Sequence, residues 1–94
     1  MRFIIFKALY WLVLVKMNFV GEYIRKKRIS KKLSLNTVCD ELKISKYILQ
    51  KIENDEFDQT INKVFYIGHL RAYAKFLNLN VDDIIEQFKL QNSF

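Results

Sequence analysis

Lys46, Tyr47, Gln50 and Lys51 fall at i, i+1, i+4 and i+5, a spacing that a helix gathers onto one side. Two ammonium groups and a carboxamide so placed can address base edges in a major groove, the lysines toward guanine and Gln50 toward adenine, with Tyr47 beside them. Arg25 and Arg28 then belong to a basic cluster suited to phosphates. A second set, Phe65, His69, Ala72 and Phe76, recurs at i, i+4, i+7 and i+11, a ring-bearing stripe of the kind that anchors a protein interface. Catalysis has no comparable constellation: no paired-carboxylate pocket, no nucleophile beside a base, no glycine-rich phosphate loop. The chain therefore reads as a binding module and not an enzyme. One cysteine, Cys39, excludes an intrachain disulfide, and the single His69 has no second Cys or His near it, so neither metal nor other cofactor is expected.

Ninety-four residues accommodate one domain, and helices joined by short loops are the economical core at that size. Proline is absent and the only glycines are Gly21 and Gly68, which lets helices run through each periodic segment. An all-α, compact five-helix domain follows. The net charge of +6 is uneven: residues 22–51 hold nine bases against three acids, whereas residues 53–58 hold four acids and no base. The first half is the side that a polyanion would meet; an anionic lipid or an acidic protein would be drawn there for related reasons.

Helix 1 is expected from Phe19 or Val20 to about Lys31, with Val20, Tyr23, Ile24 and the stem of Lys27 turned inward. Ser34 caps helix 2, whose apolar side is Leu35, Val38, Cys39 and Leu42; Cys39 should pack as an alanine would. Ser45 caps helix 3, which carries Ile48, Leu49 and Ile52 and stops at Asn54. Two short capped helices separated by Leu42, Lys43 and Ile44 make a helix-turn-helix. The acids near Asp55 should cap or solvate a loop. Helix 4 is expected from about Asn62 to Leu77 with Tyr66, Leu70, Tyr73 and Leu77 as its core face, which leaves the Phe65 stripe rotated by about 100° and partly exposed. The alternative is that Phe65 and Phe76 tuck under the N-terminal segment or the loop before helix 4 and mark only packing. Asn80 caps helix 5, with Val81, Ile84, Ile85 and Phe88 facing inward, and the chain is expected to fray over residues 91–94.

Residues 1–18 stand apart as a short apolar N-terminal helix, with residues 19–90 forming the domain. The run over residues 3–15 is interrupted only by Lys7, and it is shorter than the ~20 apolar residues a spanning helix wants. Met17 opens an ordinary start for a helical domain, so the upstream stretch reads as a misplaced start. Otherwise residues 1–16 would give weak membrane association or lie on some apolar surface. If they inserted, the cluster Arg25, Lys26, Lys27, Arg28 outweighs Arg2 and Lys7 and would hold the domain on the cytoplasmic side.

The segment "GEYIRKKRISKKLSLNTVCDELKISKYILQKIENDEFD", followed by "VFYIGHLRAYAKFLNLNVDDIIEQF", closely resembles the cytoplasmic helix-turn-helix domain of RodZ-like bacterial cell-shape proteins. The resemblance spans roughly residues 19–88, and its most specific parts are "LSL…ELKIS", "IEN" and "GHLRAYAKFL". It implies a non-catalytic adaptor beneath the cell membrane that binds the actin-like filament protein MreB, largely through helix 4. Carried across by position, Phe65 and His69 take the contacting aromatic sites. The family usually has an aromatic at His69 and an arginine at Ile67. A full RodZ-like protein continues through a basic linker, a transmembrane helix and an external domain, so this chain reads as a truncated or repurposed relative. More distantly, the segment resembles phage-repressor-type DNA-binding domains, which makes a DNA-binding regulator the alternative. Those DNA readers commonly have a backbone-touching glutamine where this chain has Leu35, and many place a turn glycine where it has Lys43.

Overall fold

The computed structural model describes residues 20–57 and 61–92, and in them the chain forms five helices and no strand. These are α1 (Val20–Ser30), α2 (Leu35–Leu42), α3 (Lys46–Glu53), α4 (Lys63–Phe76) and α5 (Val81–Gln91). The expectations for residues 1–18 lie outside the described residues. Among the described residues no helix is long and apolar enough to cross a membrane.

Four of the helices start on a side chain that satisfies their first free N–H groups. The Ser34 hydroxyl accepts from Thr37 N at 3.1 Å and the Ser45 hydroxyl from Ile48 N at 3.3 Å. The Asn62 carboxamide oxygen accepts from Val64 N at 2.9 Å, and that of Asn80 from Asp83 N at 3.1 Å. Each such cap contributes about 1 kcal/mol to its helix. The turn between α2 and α3 is closed by Lys43, which adopts the left-handed conformation (φ 56°, ψ 39°) and returns its N–H to Cys39 O. This is a position that glycine occupies without a Cβ penalty. Ile44, the next residue, is buried and pins the turn to the core.

The start of α1 is capped from a distance. Asp55, held at φ 56°, accepts from Gly21 N at 2.7 Å and from Glu22 N at 3.3 Å, and its Oδ1 also receives Gln91 Nε2 at 3.1 Å. Gln91 Oε1 in turn accepts from Val20 N at 3.1 Å. The loop after α3 thus ties the first helix to the last. Gln91, expected to begin the fray, is the last residue of α5 and takes part in two long-range hydrogen bonds, with Asn92 as its C-cap; residues 93–94 lie outside the described residues. The helix must approach closely here, because a Cβ on Gly21 would lie 2.0 Å from Ile52 O.

The core runs along α4. Tyr66, Leu70, Tyr73 and Leu77 are all buried, and Ile24, Val38, Leu49, Ile52, Ile84, Ile85 and Phe88 close around them. Tyr66 stacks on Phe88 with centroids 5.1 Å apart, and Phe57 sets its edge against both rings at 5.0 and 5.6 Å. Burial, reinforced by the charges of Asp55 and Glu56, raises the Tyr66 phenol well above its ordinary pKa. Cys39 is half-buried against the same core, and burial raises its thiol pKa, which keeps it in the unreactive protonated form.

Candidate interaction surfaces

The helix-turn-helix side of the molecule is built by α1, α2 and α3. On α3, Lys46, Tyr47 and Gln50 are exposed; on α1, Arg25 is exposed. These four of the six residues expected to face a nucleic acid are open to solvent. Lys51 is directed otherwise: its ammonium is 3.5 Å from Glu56 Oε2 and lies over the Tyr47 ring at 5.1 Å. Arg28 is withdrawn altogether. Its Nε donates to Glu53 Oε2 at 2.7 Å, Nη2 to Glu53 Oε1 at 3.0 Å, and Nη1 to Leu33 O at 2.8 Å. The two side chains are only 12% and 5% exposed, so this guanidinium serves the fold and is not presented to a phosphate.

Glu53 is the centre of that arrangement, since the Tyr73 hydroxyl also donates to its Oε2. Sequence reasoning placed Glu53 merely at the end of helix 3, yet it is the one buried charged residue among those described. Its partners Arg28 and Tyr73 are 25 and 20 residues away, so no local spacing announces them. The hydrogen bond to Glu53 raises the Arg28 pKa above its ordinary value against the opposing effect of burial. Burial, then the bond to Glu53, raises that of Tyr73.

The other surface is the outward side of α4. The expected stripe of Phe65, His69, Ala72 and Phe76 is split by the fold. Phe65 is 67% exposed, His69 is half-buried, and Ala72 and Phe76 are half-buried against the core. Open apolar surface therefore concentrates at the start of the helix, where Val64, which the sequence reading passed over, is 77% exposed beside Phe65. Gly68 follows one turn later, also exposed. Val64, Gly68, Arg71 and Lys75 recur at i, i+4, i+7 and i+11, the pattern of one continuous helix face. The helix bears Lys63, Arg71 and Lys75 and no aspartate or glutamate. Beside the exposed Val64 and Phe65, this face carries the positive charges of Arg71 and Lys75.

Ile67, where the RodZ-like pattern has arginine, is half-buried and packs against the core. Among the described residues no group of three His, Cys, Asp or Glu side chains is placed to hold a metal ion.

A family profile described as a helix-turn-helix domain matches residues 23–84, from within α1 to within α5. A protein of Haemophilus influenzae with the description "uncharacterized protein" is 40% identical over 60 residues, which cover 63% of this chain and 20% of the relative. The match thus spans about a fifth of that relative's length. No solved structure matches.

Proposed function

The chain belongs to this helix-turn-helix domain family, and we propose that it is a non-catalytic adaptor of the RodZ-like kind, which uses the outward face of α4 to grip an actin-like filament protein of the MreB type. The work would be done at the cytoplasmic face of the cell membrane in the service of cell shape. One observation carries the reading: Val64 and Phe65 are 77% and 67% exposed on a helix whose own core face is already complete. A phenylalanine left open beside a valine gains nothing for the isolated fold, and such rings supply the desolvated centre of an interface once a partner covers them. His69 follows Phe65 by one turn on the same side of α4, with Ala72 and Phe76 further along.

The second reading is DNA binding through α3, favoured by the exposure of Lys46, Tyr47 and Gln50 along one side of that helix. Against it stand the engagement of Lys51 with Glu56 and of Arg28 with Glu53, which remove two of its six expected contacts. Leu35 is half-buried against the core where a DNA reader has glutamine, and Lys43 occupies the left-handed turn in place of glycine.

A paired assay separates the two. Filament co-sedimentation and a salt-dependent DNA titration are run on the wild-type chain, on Phe65→Ala, and on a Lys46→Ala, Lys51→Ala double variant. Loss of filament binding in Phe65→Ala alone supports the adaptor. A sequence-preferring DNA complex lost only in the double variant replaces it with the regulator.

A further inference from the structure

The two glycines of this chain stand in opposite circumstances. Gly21 is required by the fold, because a Cβ there would meet Ile52 O at 2.0 Å. Gly68 has no such reason. It lies in the interior of α4, its φ is not positive, and a Cβ built on it would find no atom within 4 Å. A glycine in a helix interior costs stability relative to alanine through lost backbone entropy. Neither conformation, crowding nor capping within the described domain explains its presence.

Its neighbours supply a reason from outside. Gly68 is flanked one turn earlier by the exposed Val64 and Phe65 and one turn later by Arg71 and Ala72. The missing side chain leaves the main chain of α4 open beside Val64 and Phe65, the two most exposed large hydrophobic residues among those described. We infer that Gly68 is the seat of close backbone approach by a partner protein, whose apolar ridge enters that opening beside Phe65 and whose flanking carboxylates meet Arg71 and Lys75. The inference rests on the filament-binding reading and deepens it. Charge disfavours two other occupants. A second copy of α4 would bring Lys63, Arg71 and Lys75 against their own kind, with no acid on the helix to relieve them. Residues 3–15 of this chain carry Lys7 and no acid, so they offer Arg71 nothing either.

The test compares the full chain with Gly68→Ala, Gly68→Leu and Phe65→Ala by thermal melting, by co-sedimentation with purified MreB-type filaments and by analytical ultracentrifugation. Gly68→Ala is expected to raise Tm by about 4 °C or more, since its methyl meets nothing and alanine is the better helix former. Gly68→Leu is expected to weaken filament binding about tenfold or more in Kd, with its Tm no lower than that of wild type. Gain of stability with loss of binding is a pairing that a merely structural glycine does not give. If Gly68→Leu binds as wild type while Phe65→Ala does not, the inference falls and the adaptor reading stands. If wild type does not bind filaments, both fall. A Gly68→Ala chain with lowered Tm overturns the inference by revealing an internal need for glycine. So does a concentration-dependent dimer that Gly68→Leu abolishes, which assigns the face to a second copy. Binding lost in Gly68→Leu but kept in Phe65→Ala overturns the inference, which seats the partner beside that ring.

Discussion

Arg28 and Glu53 meet as a two-pronged pair between α1 and α3, Nε to Oε2 at 2.7 Å and Nη2 to Oε1 at 3.0 Å. Both side chains are shielded from water, and removing one leaves the other charge buried without its counterpart. Arg28→Ala or Glu53→Ala should therefore lower the unfolding free energy by about 3–5 kcal/mol, read from urea denaturation. Arg28→Lys should also be costly, because an ammonium cannot reproduce the fork. A Glu53→Leu, Arg28→Met double variant should be less destabilised than the sum of its single changes; strict additivity would refute the coupling.

Alkali should unfold the domain through its buried phenols. Tyr66 and Tyr73 hold their protons more tightly folded than unfolded. Their contribution is thus intact below the ordinary tyrosine pKa of about 10 and is lost as the pH climbs from there toward the raised folded values. Urea midpoints measured from pH 8 to pH 11 should fall across the upper part of that range. Tyr73→Phe should be less stable at pH 8 by about 1.5–3 kcal/mol, having lost a hydrogen bond to a carboxylate. Its further decline with alkali should be shallower than that of wild type, and an equal slope would remove Tyr73 from the account.

Gly21→Ala should be among the most damaging single-methyl changes available. The added carbon would lie 2.0 Å from Ile52 O and 3.0 Å from two atoms of Asp55, so α1 must retreat from the end of α3 and loosen its own cap. A fall of Tm by more than about 10 °C is expected, since about 1 kcal/mol corresponds to 4–8 °C in a domain of this size and the change combines overpacking with cap loss. A Tm within a few degrees of wild type would show that the helix can shift cheaply.

Lys43→Gly should act in the other direction. A left-handed conformation strains a residue with a Cβ, and glycine relieves it at about 1 kcal/mol of stability gained. Because Lys43 is exposed in the turn, its ammonium carries no packing to lose. Thermal melting of the variant checks the gain, and an unchanged or lowered Tm would mean that the turn is relaxed by its surroundings.

The helical frame was legible because its signals are local. Ser34, Ser45 and Asn80 each cap the helix that begins at the following residue, and Tyr66, Leu70, Tyr73 and Leu77 repeat at the helical interval on the buried side. What escaped depends on contacts between residues far apart in the chain. Glu53 reads as one more acid in an acidic stretch until α1 and α4 bring Arg28 and Tyr73 to it. Asp55 is expected to cap or solvate a loop; it caps, but the N–H that reaches it, that of Gly21, lies 34 residues earlier. The α4 surface was read in part for the same reason. Periodicity places Phe65 and Phe76 on one stripe, and only the docking of the other helices decides that the first stays open while the second is half covered. Gly68 opens the "GHLRAYAKFL" run that carries the family resemblance, but its vacant surroundings appear only once the helices are docked.

The bond from Val20 N to Gln91, with Asp55 joining Gly21 to Gln91 beside it, brings the two termini of the described domain to one corner. A rope attached at either end would pull on that single polar knot before it reached the oily interior. For the same reason a short linker could join the termini, and the ring so formed could be reopened at the exposed turn of Lys31 and Lys32, to give a circular permutant with its five helices in their present places.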